Sequence, residues 1–421
     1  MGTDYFKELP NNWEIKKFGD VAKITCGVAA TPEYVDASIG IPFFSARNVQ
    51  NGRLDLNYFQ YISVELHKKL TKNTKPERGD ILLTRVGAGI GEAAVVNIDF
   101  EFSVYVSLTL IKCSKKIESE FIKLLLNTNY YRYLATRDQF AGGGVQNLNV
   151  QMVKDYPIPV PPLLEQKKIA QILSTWDQAI SATEQLIKNS QEQKKALMQQ
   201  LLTGKKRLLD ENGVNFSEEW NEYSLGNLGN TFTGLTGKTK DDFGSGVPYI
   251  TYMNIFKNSR IDINQVDYVV VKEDENQNSV RYGDIFFTTS SETADEVGMS
   301  SVLLEEVERL YLNSFCFGFR LNNFKVLLPQ FAAYILRSSN IRKQISILGQ
   351  GATRYNLSKN QLMKLILRLP TIAEQKKIAE VLFTADQEIE ILQKKLECLK
   401  QKKKALMQQL LTGKKRVKVA A

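Results

Sequence analysis

Side chains able to perform chemistry are scarce in this chain of 421 residues, and their spacing excludes most reactions. One histidine, His67, stands between Leu66 and Lys68. A histidine-based triad or a histidine-rich metal site therefore has too few members, and His67 reads as a solvated surface residue. Cys26, Cys113, Cys316 and Cys398 are isolated. Without paired spacing they form neither a zinc ribbon nor a disulfide framework, which fits a reducing cytoplasm. Gly87-Ala88-Gly89-Ile90-Gly91 follows a β-rich run, but its third glycine is misplaced for a dinucleotide loop. A β-like run follows it instead of a helix, so it reads as a glycine-rich hairpin. Gly234-Leu235-Thr236-Gly237-Lys238-Thr239 resembles a phosphate loop, yet Phe232 stands where that loop needs glycine. It reads as a mobile basic loop able to touch phosphates. There is no Gly-x-Ser-x-Gly elbow, and no Asn/Asp-Pro-Pro-aromatic run of the kind amino-methyltransferases use. The pairs Glu305-Glu306 and Asp241-Asp242 read as solvated surface.

What remains is chemistry of binding. Arg, Lys, Asn and Gln on loops can make bidentate contacts to base edges. The candidate readers in the first half are Arg47, Asn48, Arg85, Gln146 and Asn147. In the second half they are Lys238, Asn254, Thr289, Arg354, Tyr355 and Asn356. Glycines precede Gln146 and Arg354, where backbone can approach a ligand closely. The formal net charge of +9 and pI near 9.1 favour a polyanionic partner.

These loops come in two sets because the chain is a duplication. The run from Lys194 to Arg207 recurs letter for letter from Lys403 to Arg416, and so does Glu165 to Ala170 from Glu374 to Ala379. Both recurrences are 209 residues apart. Trp13 answers Trp220, Gly79-Asp80-Ile81 answers Gly283-Asp284-Ile285, and Pro161 answers Pro370, all in the same order. Each half begins with short β-rich runs, among them 81–84, 93–96, 104–108 and 268–271, punctuated by glycines. A helix is expected over 120–134 and another over 330–345, so each globular part reads as α+β. Each half closes on a heptad helix. Its seam runs Ile169, Leu173, Trp176, Ile180, Thr183, Ile187, Ser190, Lys194, Leu197, Leu201 in one copy. In the other it runs Ile378, Leu382, Ala385, Ile389, Leu392, Leu396, Leu399, Lys403, Leu406, Leu410. The two helices either pack on each other, in either direction, or each packs on its own domain; the unbroken heptad favours the pair. Gly204 and Gly413 suit the left-handed position that ends a helix. No run of about 18 apolar residues spans a membrane, and the opening residues lack a signal region, so a cytoplasmic location is expected.

The chain resembles the specificity subunits of type I restriction-modification systems. The resemblance rests on Pro157 to Ala170 with its echo from Leu369 to Ala379, on the doubled Leu-Met-Gln-Gln-Leu-Leu-Thr-Gly-Lys-x-Arg tail, and on the openings at Trp13 and Trp220. It implies an α+β fold with two globular α/β target-recognition domains. These are separated by two long helices forming an antiparallel coiled coil with pseudo-two-fold symmetry. The expected bounds are 1–158 and 211–367 for the domains, and 159–210 and 368–421 for the helical regions. The resemblance also implies a non-catalytic subunit. Its partners would be double-stranded DNA with a bipartite site, two methyltransferase subunits and two restriction/translocase subunits. S-adenosylmethionine, ATP and Mg would be used by those partners, with no cofactor on this chain. A self-sufficient DNA methyltransferase and a coiled-coil adapter are the alternatives; the first lacks every motif it needs.

Overall fold

The computed structural model describes residue 6 and residues 9–27, 32–137, 147–351 and 353–419. It divides into two compact units, Met1–Thr183 with Lys395–Ala421, and Glu184–Lys394. Both mix helix and sheet, so the α+β expectation holds.

Each unit is built on a four-stranded antiparallel sheet. In unit 1 the strand order is Ala22–Cys26, Leu108–Cys113, Ile81–Thr84, Ala93–Val95. In unit 2 it is Gly229–Thr233, Cys316–Leu321, Ile285–Thr288, Ser300–Val302. The strands Ile81–Thr84 and Ile285–Thr288 are buried at every residue, which is why their apolar runs do not alternate. A second sheet in each unit sets Ile41–Phe44 between Gln60–Ile62 and Ser103–Val104, and Phe243–Ile250 between Val266–Val269 and Tyr311–Leu312. The first and last strands of each globular part pair with each other, Glu14–Lys17 with Pro157–Val160 and Asn221–Ser224 with Ile366–Leu369. Each fold is thereby closed immediately before its long helix.

Four expectations are corrected. The helix expected over 120–134 is two, Ser119–Leu126 and Asn129–Arg137. The amide of Asn127 donates to the Lys123 and Ala93 carbonyls and Thr128 Oγ1 donates to the Leu125 carbonyl, so side chains take over from the helical ladder. The helix expected over 330–345 likewise breaks into Pro329–Ile335 and Ser339–Leu348, with Ser338 capping the second. The β-rich run 104–108 is not one strand: Val104 ends one strand and Leu108 begins the next, with 105–107 a tight turn closed by Leu108 N donating to the Tyr105 carbonyl at 3.0 Å. His67 is buried, its Nδ1 2.9 Å from Ser103 Oγ, and burial pulls its pKa down, which keeps it neutral.

The long helices are Leu163–Leu201 and Ile372–Leu410, each of 39 residues and about 58 Å long. All twenty expected seam residues are buried or half-buried. Gly204 and Gly413 take φ of 69° and 72°, the left-handed geometry expected at a helix end. Side chains of the repeated Glu-Gln pair fix each helix to its globular part. Gln166 accepts from Glu118 N and donates to the Pro161 carbonyl, both at 2.8 Å. Gln375 makes the same two bonds with Leu328 N and Pro370, both at 2.9 Å.

Within unit 1, residues 163–183 run antiparallel to residues 395–410. Glu165 accepts two bonds from Arg416, at 2.7 and 2.8 Å, and Asp177 accepts from Lys403 at 2.6 Å. Within unit 2 the same pairs recur with the copies exchanged. Glu374 accepts from Arg207 at 2.6 and 2.7 Å, and Asp386 pairs with Lys194 at 2.5 Å. Every acid is thus matched by a base from the other repeat, and the polar seam lysines are the residues that set the register.

The two buried carboxylates differ in one donor. Trp13 Nε1 donates to Glu165 at 3.1 Å, whereas the indole N–H of Trp220 meets no acceptor among the described residues. Arg207→Ala therefore strands Glu374 and should cost about 3 kcal/mol. Arg416→Ala leaves Glu165 its indole donor and should cost about 1–2 kcal/mol. Chemical denaturation of the two variants checks this; equal losses would refute the role given to Trp13.

Candidate nucleic-acid interface

The candidate readers sit where strands leave the sheets. After Ile41–Phe44 the chain turns through Ala46–Asn48, capped by Ser45. Asn48 closes this turn. Its oxygen accepts from Ser45 N at 3.0 Å, and its amide donates to the Asp55 and Tyr58 carbonyls at 3.0 and 2.8 Å. In unit 2 Thr251 caps helix Tyr252–Lys257, and Asn254 repeats the arrangement with the Asp262 and Gln265 carbonyls, both at 2.8 Å. Both asparagines are 2% exposed, and both amide hydrogens of each are used. The structure corrects their expected role: they hold the shape of the turn and have no donor to spare for a base edge. The neighbouring Arg47 is exposed.

A second turn meets the first. Arg85 N donates to the Ser107 carbonyl at 3.0 Å, and Ser107 Oγ accepts from Ala46 N at 2.9 Å. A third segment joins them, because Leu148 N donates to the Arg85 carbonyl at 2.9 Å and Val86 bridges Asn147. Three sequence clusters up to 100 residues apart thus converge. Arg85 does not face outward as expected. It is buried, with Nε donating to Asn147 Oδ1 and the Leu148 carbonyl, both at 3.0 Å, and Nη1 against Cys26 Sγ. It braces the loop that carries Asn147, which stays exposed. Gln146 lies outside the described residues.

Unit 2 brings together the equivalent clusters. Thr289 N donates to the Phe315 carbonyl at 3.1 Å, and the Thr289 carbonyl accepts from Leu357 N at 2.8 Å. Ser290 pairs with Asn356 and Ser291 with Tyr355 in a small sheet completed by Gly349–Gln350. Tyr252 Oη donates to the Ser290 carbonyl at 2.8 Å, and burial raises the pKa of this phenol. Thr289 and Tyr355 are half-buried, while Arg354 and Asn356 are exposed. Gly351, at φ of 139°, gives this loop a bend that other residues resist. Arg337 braces the edge from below, donating to the carbonyls of Ile255, Asn258 and Ser300 at 2.6–2.7 Å. Burial lowers its pKa to about 10.

Lys238 is not on a free basic loop. Its side chain is 4% exposed and its Nζ is paired with Glu275, a partner 37 residues away that no local pattern announces. Sequence reading also missed Ser107 and Phe315. Their turns join the readers through hydrogen bonds between segments far apart in sequence, which leave no spacing signal.

A protein-family model for the type I restriction modification DNA specificity domain matches this chain twice, over residues 10–192 and 217–401. The specificity subunit of the type I restriction enzyme MjaVIII from Methanocaldococcus jannaschii is 26% identical over 442 residues, covering 98% of this chain and 96% of that protein. The EcoKI specificity subunit of Escherichia coli is 24% identical over 389 residues, covering 88% and 81%. A crystal structure of a type I restriction-modification S subunit from M. genitalium shares the fold, with a TM-score of 0.56 at 16% identity over 96% and 97% of the two chains.

Exposure and bonding separate two kinds of site residue. Asn48→Ala and Asn254→Ala should each cost about 2–3 kcal/mol by orphaning buried backbone carbonyls. Arg47→Ala and Arg354→Ala should change stability by under about 0.5 kcal/mol. Thermal melting of the four variants checks this; a neutral asparagine variant would contradict the account of the turns.

Proposed function

This chain belongs to the type I restriction modification DNA specificity family, and we propose that it is the non-catalytic subunit that reads DNA for such a complex. Each unit reads one half of a bipartite site in double-stranded DNA. The helices fix the gap between the halves and dock two methyltransferase subunits. Those subunits use S-adenosylmethionine to methylate adenine, and two restriction/translocase subunits using ATP and Mg complete the assembly in the cytoplasm.

The observation that carries this reading is the pairing of a repeated frame with unrepeated loops. Frame residues recur by type and by bond: Glu165 and Glu374, Gln166 and Gln375, Asn48 and Asn254. Exposed loop positions differ between the units: Arg47 stands where the second unit has Met253, on turns closed by the equivalent buried asparagines. A protein that reads two different half-sites needs that division, because phosphate contacts position while base-edge contacts specify. A rigid helical spacer turns the unread base pairs between half-sites into a fixed length.

Lengthening the spacer tests both parts together. Seven residues inserted after Ile180 put the Asp177–Lys403 and Asp386–Lys194 pairs out of step by one heptad unless the other helix is lengthened to match. A matched insertion in both helices adds about 10 Å. The matched variant, assembled with its methyltransferase, should keep both half-site sequences and widen the gap. The single insertion should shift the gap or abolish assembly. An unchanged gap with full activity in the matched variant would refute the spacer role.

A further inference from the structure

Equivalent turns in the two units carry opposite chemistry. Arg85 N donates to the Ser107 carbonyl, and Thr289 N donates to the Phe315 carbonyl. Each turn closes in the same way, Leu108 N on the Tyr105 carbonyl and Cys316 N on the Asn313 carbonyl. Ser107 and Phe315 therefore occupy one structural position. The turns capped by Ser45 and Thr251 are related likewise, each closed by a buried asparagine, so Arg47 and Met253 occupy a second. The two positions are neighbours in each unit. Tyr105 N donates to the Phe44 carbonyl at 2.8 Å, and Asn313 N to the Ile250 carbonyl at 3.0 Å.

Unit 1 thus presents a guanidinium and a hydroxyl at this edge. Unit 2 presents a thioether and a phenyl ring, with Met253 46% and Phe315 64% exposed. One exposed apolar residue on a protein surface means little. Here two adjacent ones replace two polar ones, on turns whose backbone bonds are otherwise the same, beside the exposed Arg354 and Asn356 loop. The Phe315 carbonyl and Leu357 N meet the same residue, Thr289, so the ring belongs to the reading edge. In the major groove the apolar group that a base offers is the C5-methyl of thymine.

We propose that unit 2 selects thymine through Met253 and Phe315 packing on its methyl group, while unit 1 uses Arg47 and Ser107 at the same positions for hydrogen-bonded recognition. This rests on the DNA-reading function proposed above and assigns a base class to one of its half-sites.

Uracil in place of thymine keeps every base-pairing and hydrogen-bonding group and removes only the methyl. The chain assembled with its methyltransferase is titrated with its mapped target duplex, bearing uracil for every thymine first in one half-site and then in the other. Affinity should fall about four-fold per contacted thymine in one half-site, from the loss of one buried methyl each, and stay unchanged in the other. A Met253→Ala/Phe315→Ala variant, whose melting should match the native chain, should bind thymine DNA more weakly and no longer distinguish uracil. The proposal is overturned if uracil has no effect in either half-site, if the effect survives in the double variant, or if the second half-site contains no thymine. Weaker binding by the double variant, when the native assembly itself binds uracil and thymine DNA equally, would also overturn it, since the ring would then act as a wedge between base steps. A native assembly that binds unmodified DNA without sequence preference would overturn the DNA-reading function itself, a result the uracil comparison alone cannot produce.

Discussion

Two buried carboxylates hold this structure together. Glu165 and Glu374 open the two long helices, and each is clamped by an arginine that the other repeat supplies from beyond its own helix. A buried carboxylate without a partner is strongly unfavourable, so each clamp makes its unit depend on both repeats. The Asp177–Lys403 and Asp386–Lys194 pairs then fix where along the helix each contact falls. Hydrophobic seam residues supply most of the burial, but leucines alone tolerate a slip of one heptad. Charged partners at fixed positions do not, so the acid–base pairs convert a greasy contact into a defined length.

That arrangement explains the distribution of sequence between the copies. Residues that build the frame repeat, because the same bond is needed twice. Residues at the strand ends need only preserve the turn, and the turn is held by buried side chains and backbone. Asn48, Asn254 and Arg85 do this work from inside, which leaves surface positions such as Arg47 and its counterpart Met253 free to differ. Specificity can then change without the fold being rebuilt.

Much of this was legible before any coordinates. The heptad seam, the glycine helix ends and the doubled α+β halves follow from periodicity and repetition. Matched order marked residues 45–48, 84–85 and 147 as equivalent loops in both halves, but their convergence in one place rests on hydrogen bonds between distant segments. Other features were not legible because they depend on distant partners. Lys238 looks like a loop cation until Glu275 is found against it. Arg85 and the two asparagines have the side chains of base readers, and only their burial shows those groups to be already bonded. His67 looks like surface between Leu66 and Lys68, yet Ser103 receives it in the core. Helix breaks at Asn127 and Ser338 arise from side-chain bonds that compete with the helical ladder, a balance that propensity alone does not resolve.

The central proposal is that one chain carries two readers, each for one half of a divided site. A genome-wide adenine methylation map of a host expressing this chain with its methyltransferase tests it most directly. The account predicts one bipartite motif, two short specified halves separated by a fixed number of unspecified base pairs. A continuous motif, or a gap of variable length, would contradict it.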